Sequence, residues 1–117
     1  MPYVDGYVLV VPKKNIQAYK RMATKAGKIW KEHGALEFRE CVGEDLKNRF
    51  CPPFTKLLKT KPSETVMFSW IVFKSRAQRD KVNAKVMKDP RLGKSMDDLP
   101  FDPKRMTFGG FDVLVDL

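Results

Sequence analysis

The sequence predicts an α+β fold, a ferredoxin-like βαββαβ plait built on a four-stranded antiparallel sheet. Three observations predict it. The stretch Val66-Met67-Phe68-Ser69-Trp70-Ile71-Val72-Phe73 is apolar on both of its alternating faces, as expected of a central strand covered on each side. Strand-like and helix-like periods then follow one another in the order β-α-β-β-α-β along the chain. Right-handed crossovers place strands one and three of that order in the centre and strands two and four at the edges.

Tyr3 to Val11 (YVDGYVLVV) is rich in β-branched and aromatic residues and stops at Pro12, so it is the first strand. From Asn15 to His33, the residues Ile16, Tyr19, Ala23, Ala26, Trp30 and His33 recur at spacings of three and four and form one apolar helical stripe. Lys20, Arg21, Lys25, Lys28 and Lys31 lie mostly off that stripe, as a solvated basic face. Gly34 supplies the residue that most easily closes a helix. Ala35 to Val42 sets Leu36, Phe38 and Val42 against Glu37 and Arg39, the alternation of an edge strand with one wet side.

Gly43 to Ser63 is a long β2-β3 connection with a short helix expected at Phe54 to Leu58. After the central strand, Ser75-Arg76-Ala77-Gln78 reads as a capping box, so a second helix starts there and fades at Lys88, ahead of Pro90. Arg91 to Leu99 has room for another short turn. Met106 to Leu117 is the last strand, in which Gly109-Gly110 suggests a bulge or a close backbone approach.

At 117 residues and 43% hydrophobic, the chain suits one domain spanning 1–117. No secretory pattern or membrane-length apolar run is present, so the expectation is a cytoplasmic protein with no membrane partner. Cys41 and Cys51 lack CxxC spacing and His33 is the single histidine, which leaves no metal signature and no expected cofactor. A net charge of +9 favours contact with phosphates or anionic surfaces without specifying one.

Both crossover helices of a plait lie on one side of the sheet. The other side therefore carries one face of the apolar central strand, and a lone protomer would expose it. Two partners would cover it: the sheet of a second copy, giving a homodimer, or nucleic-acid bases stacked on aromatics. Phe68 to Phe73 matches the later part of the third-strand signature of RNA recognition motifs, but Val66-Met67 stand where a basic residue and glycine belong. Nucleic acid is the weaker expectation.

Tyr3-Val4-Asp5-Gly6, Phe68-Ser69-Trp70, Asp89-Pro90-Arg91 and Pro100-Phe101-Asp102-Pro103-Lys104-Arg105-Met106 running into Gly109-Gly110-Phe111 resemble the YbaA-like bacterial family, the domain of unknown function 1428 (DUF1428). The resemblance covers nearly the whole chain and departs at Asn48 to Pro62. It implies a place in the dimeric α/β-barrel superfamily, in which two plaits pair sheet to sheet. That superfamily also holds cofactor-independent monooxygenases, haem-degrading enzymes and small isomerases, so an enzyme of monooxygenase or isomerase type is an alternative implied by the resemblance. Nothing on the second helix supplies a haem-ligating histidine.

The polar residues worth following are few. Arg79 and Asn83 share a helix face at i and i+4, and Arg79 would suit a carboxylate or phosphate oxygen of a small anionic ligand. Asp5 sits early on an apolar strand, either as a desolvated proton-transfer group or as an ion pair with Arg39. Asp102 and Arg105 would lie at a pocket mouth or fix a connection. With Trp70, these residues make up the expected ligand site between sheet and helices, each with a purely structural role as the alternative.

Overall fold

The computed structural model describes residues 1–93 and 98–117. Its strands are β1 (Tyr3–Pro12), β2 (Glu37–Val42), β3 (Glu64–Phe73) and β4 (Thr107–Asp112), all antiparallel in the order β2-β3-β1-β4. The helices are α1 (Ile16–His33), the one-turn α2 (Phe54–Leu57), α3 (Arg76–Lys88) and the one-turn α4 (Pro90–Gly93). This is the expected α+β plait with β1 and β3 central. Residues 94–97 of the turn expected within Arg91 to Leu99 lie outside the described residues.

Strand register decides which side chains meet the helices. Tyr3, Asp5, Tyr7, Leu9 and Val11 of β1 stand opposite Phe73, Ile71, Ser69, Met67 and Thr65 of β3, and this face packs under α1 and α3. One core cluster gathers Ile29, Ala35, Ile71, Phe73, Val82 and Val86, and another gathers Leu9, Val11, Tyr19, Ala23 and Met67. Burying a side chain such as Phe73, which is fully buried, contributes about 1.5–3 kcal/mol.

The α1 stripe is rotated slightly from the expected one. Ile29 and Gly27 are buried, whereas Ala26 and Trp30 are only partly so. Phe38 explains the glycine: a Cβ at residue 27 would lie 2.6 Å from the Phe38 ring, so only glycine lets α1 approach β2 this closely. Gly34 closes the helix at φ +122°.

At α3, Ser75 Oγ accepts from the Gln78 N–H as the capping box requires. The return contact differs, since Gln78 Oε1 accepts from Lys74 N–H, one residue ahead of the cap. Gln78 Nε2 also donates to Gly34 O, joining the start of α3 to the end of α1. At the same end of α1, His33 Nε2 lies 2.9 Å from Asp89 Oδ2, just past the end of α3, and Arg91 bonds both Asp89 and Glu32. Those hydrogen bonds, Arg91 first and His33 second, hold the Asp89 carboxyl well below the usual range.

β4 ends at Asp112 rather than running to Leu117, and it contains no bulge. Its register with β1 is continuous through Gly6↔Gly109 and Asp5↔Gly110. The glycines serve close approach instead: a Cβ at Gly110 would fall 2.2 Å from the Tyr3 hydroxyl, because the Tyr3 ring lies across β4 there.

The second sheet face carries Val4, Val8, Phe68, Trp70, Val72 and Phe111, with Phe68 and Phe111 exposed. It is not bare along its whole length. Val10 and Val66 on the same face are buried, at the end where α2 packs on β3 and Gly43 N–H donates to Val66 O.

Candidate functional site

Alternation along the strands separates the expected site residues before any distance is considered. Asp5 faces the helices, while Arg39 and Trp70 stand opposite each other on the second face. The anticipated Asp5–Arg39 ion pair is therefore impossible. Arg39 Nε bonds Glu37 Oε1 at 3.1 Å, and the same oxygen accepts from Trp70 Nε1 at 2.9 Å. Nor can Trp70 share a pocket with Arg79 and Asn83, since the sheet lies between them.

Asp5, Arg79 and Asn83 do come together. Asp5 is 2% exposed, and its Oδ2 accepts from Asn83 Nδ2 at 3.1 Å. Asn83 Oδ1 in turn accepts from Trp30 Nε1 at 2.9 Å, which orients the amide and brings α1 into the same network. Arg79 Nη1 lies 3.6 Å from Asp5 Oδ1, and Arg79 Nη2 donates to the Tyr3 hydroxyl at 3.1 Å. The guanidinium also stacks over the Tyr3 ring, 4.9 Å from its centre, and pairs with Asp80.

The cluster is partnered by the protein's own groups, although the buried Asp5 Oδ1 and Arg79 Nε lie within ion-pair distance of a partner without meeting hydrogen-bond geometry. It works as a clamp between β1, α1 and α3, and the guanidinium already has three partners before any ligand arrives. Tyr7 lies on the same face of β1, stacked on Phe108 with ring centres 5.6 Å apart. Burial, followed by the charges of Asp5 and Glu40, holds its hydroxyl protonated far above the usual phenol range.

Asp102 and Arg105 sit elsewhere. Asp102 is exposed and caps a 3₁₀ turn by accepting from Lys104 N–H. Arg105 donates to Glu64 Oε2 at 2.6 Å and to the carbonyls of Leu58 and Lys59, fastening the end of the β2-β3 connection.

The space between helices and sheet lies on the other side of α1, where sequence reasoning did not look. A cleft of about 650 Å³ runs between α1 and the edge strand β2. Ala23, Gly27, Phe38, Val42 and Met67 give it apolar walls, and Lys20, Lys28, Lys31 and Glu32 stand along α1. The carboxyl of Glu40 and the hydroxyl of Tyr19 meet inside it, Tyr19 donating to Glu40 Oε1 at 2.8 Å.

Both groups are driven toward their neutral forms. Burial raises the Glu40 carboxyl above its ordinary value of 4.5, and hydrogen bonds from Tyr19 and Ser69 offset only part of that. Burial and the neighbouring Glu40 raise the Tyr19 hydroxyl likewise. A carboxyl with raised proton affinity, set in an apolar cleft, is a candidate for accepting or donating a proton. The signal for Glu40 was present in the sequence as parity, since Phe38, Glu40 and Val42 must share one face of β2.

Among the described residues no group of three or more His, Cys, Asp or Glu side chains is arranged to hold a metal ion. No described helix is long and apolar enough to cross a membrane.

Comparison with known proteins agrees with this fold. Residues 2–103 match the family described as a protein of unknown function, DUF1428. The chain is 42% identical over 116 residues to the uncharacterized protein YbaA of Escherichia coli K12, with 99% of each chain covered, and equally to that of Shigella flexneri. Among solved structures, a dimeric ferredoxin-like protein from an uncultured marine organism covers 100% of both chains at a TM-score of 0.54 and 14% identity. Rv0793 of Mycobacterium tuberculosis aligns over 99% of this chain and 98% of its own, at 0.54 and 10% identity. A Nitrosomonas europaea protein, provisionally named an antibiotic biosynthesis monooxygenase, aligns over 97% and 90% at 0.54 and 12%. At these identities the structural likeness speaks for the fold alone.

Two outcomes follow from the clusters. Arg79→Ala removes the cation nearest the buried Asp5 carboxylate and should cost about 3 kcal/mol, read as a lower denaturant midpoint at pH 7. For Glu40, the native state holds its proton more tightly than the unfolded chain does. Its contribution to stability is therefore complete below the ordinary carboxyl range and is lost as pH rises through the raised value. Melting curves between pH 4 and pH 8 should show Glu40→Gln gaining on the wild type as pH rises, and a constant difference would contradict the assignment.

Proposed function

We propose, starting from the fact that the chain belongs to the DUF1428 family of proteins of unknown function, that it is a homodimeric small-molecule-binding protein. The whole chain acts as one domain, works in the cytoplasm and needs no cofactor. The ligand lodges in the cleft between α1 and β2, and the dimer forms through the second face of the sheet. The observation that carries the binding reading is the cleft itself: a volume suited to a small organic molecule, apolar walls, and one polar pair within.

Pairing through Val4, Val8, Phe68, Trp70, Val72 and Phe111 leaves the cleft open, because the two features lie on opposite sides of the sheet. Free Cys41 and Cys51 suit a reducing compartment. Sheet pairing would hide Phe68 and Trp70, so RNA binding has no part in this reading. Arg79, the anion holder expected from sequence, keeps the clamp together instead.

A second reading has one observation in its favour. Glu40, raised in proton affinity and facing the cleft, is the residue that a cofactor-independent enzyme of monooxygenase or isomerase type would use as acid or base. Under that reading Glu40→Gln abolishes turnover while ligand affinity survives.

The test is a thermal-shift screen of small aromatic and alkyl compounds. A ligand at about one hundred times its Kd adds about 2.7 kcal/mol of stability, a rise of several degrees in Tm. Thr24 lines the cleft at the exposed surface of α1, so Thr24→Trp should fill the cleft and abolish the rise without disturbing the core. A screen in which nothing shifts Tm, or in which shifts persist in the filled variant, contradicts the proposal.

A further inference from the structure

Several features compete for a role beyond this reading, and the cationic border of the cleft is the one that distance and charge specify best. Between Lys13 and Lys31 the chain contains no acidic residue, so α1 has nothing of its own there to neutralise its lysines. Three of those lysines border the cleft. Lys31 Nζ is engaged, donating to Leu36 O at 2.7 Å. Glu32, the acid at the border, is engaged too, since Arg91 Nη2 holds it at 2.7 Å. Lys31 keeps its charge, so all three lysines make the opening positive, and Lys20 and Lys28 are the two whose ammonium groups make no hydrogen bond among the described residues. They are eight residues apart on one side of α1, roughly 12 Å along the axis.

Within the cleft, the acid facing the ligand is Glu40, which Tyr19 engages and which burial favours in the uncharged state. The cleft thus runs from apolar walls at Phe38 and Met67, where Tyr19 engages Glu40, to positive charge at the α1 border. A neutral apolar guest would use the walls alone. A strongly hydrated polyanion would gain nothing from them.

We infer that the cleft selects amphipathic monoanions, an aromatic or alkyl body seated against Phe38 and Met67 with its carboxylate or sulfonate held between Lys20 and Lys28. The inference rests on the ligand-binding reading above and sharpens it to a chemical class. Each exposed lysine–anion contact is worth well under a tenfold gain, and two together give about fivefold. The gain should shrink with salt, because both lysines are exposed.

The experiment is calorimetric titration of the full chain with 1-naphthoate and with its uncharged analogue 1-naphthalenemethanol. The expected result is about fivefold tighter binding of the anion at low salt, narrowing in 0.5 M sodium chloride. In the double variant Lys20→Gln/Lys28→Gln the preference should vanish while the neutral compound keeps its affinity. Equal affinities in the wild type, or a preference that survives in the double variant, overturn the inference and leave the binding reading standing. Failure of both compounds to bind overturns the inference together with that reading. The substituted lysines are solvent-exposed, so loss of folding does not complicate the comparison.

Discussion

The sheet's central pair of strands is apolar on both sides, and the two crossover helices shelter only one of them. Everything else in the structure answers to that imbalance. On the sheltered side, Leu9, Val11, Ile71 and Phe73 fill the space under α1 and α3. On the other, the chain covers Val10 and Val66 at one end and leaves Phe68 and Phe111 facing solvent. An exposed apolar surface of this kind, centred on aromatic residues, is what an interface looks like before it forms.

Asp5, Thr65 and Ser69 are buried polar residues on the sheltered side, and the carboxyl of Asp5 is the costliest of the three to bury. Asp5 is buried in the middle of β1, and a carboxylate there is tolerable only because Asn83 and Arg79 reach it from α3 while Trp30 fixes Asn83 from α1. The consequence is positional. By tying both helices to the same point of the sheet, the clamp fixes where α1 lies relative to β2, and the Gly27–Phe38 contact sets how closely it approaches. The cleft is the gap that remains beside those two contacts. A structural network on one side of α1 thus shapes the cleft on the other.

Much of the fold was legible because its signals were local. The two-sided apolarity of β3, the Ser75 cap, Gly34 and Pro12 each specify their own element, and crossover handedness then leaves one strand order. The site was less legible because partners across elements depend on parity and on helix placement together. Asp5 has two candidate cations in the sequence, Arg39 and Arg79, and only knowing which face the helices cover chooses between them. Glu40 was passed over for the same reason: on an edge strand a glutamate reads as solvated. It becomes a half-buried, hydrogen-bonded carboxyl only once Tyr19 is placed above it. Gly109-Gly110 misled in a smaller way, since glycine in a strand signals either a bulge or a close neighbour. The neighbour here is Tyr3, from the adjacent strand.

The imbalance between the two sheet faces is resolved if another copy of the same chain occupies the second one. The direct measurement is the mass of the protein at micromolar concentration by light scattering coupled to size exclusion. Twice the chain mass of 13.5 kDa, reverting to a single chain when Phe68 and Trp70 are both replaced by lysine, is the predicted result. A stable single-chain particle of the unaltered protein would contradict it.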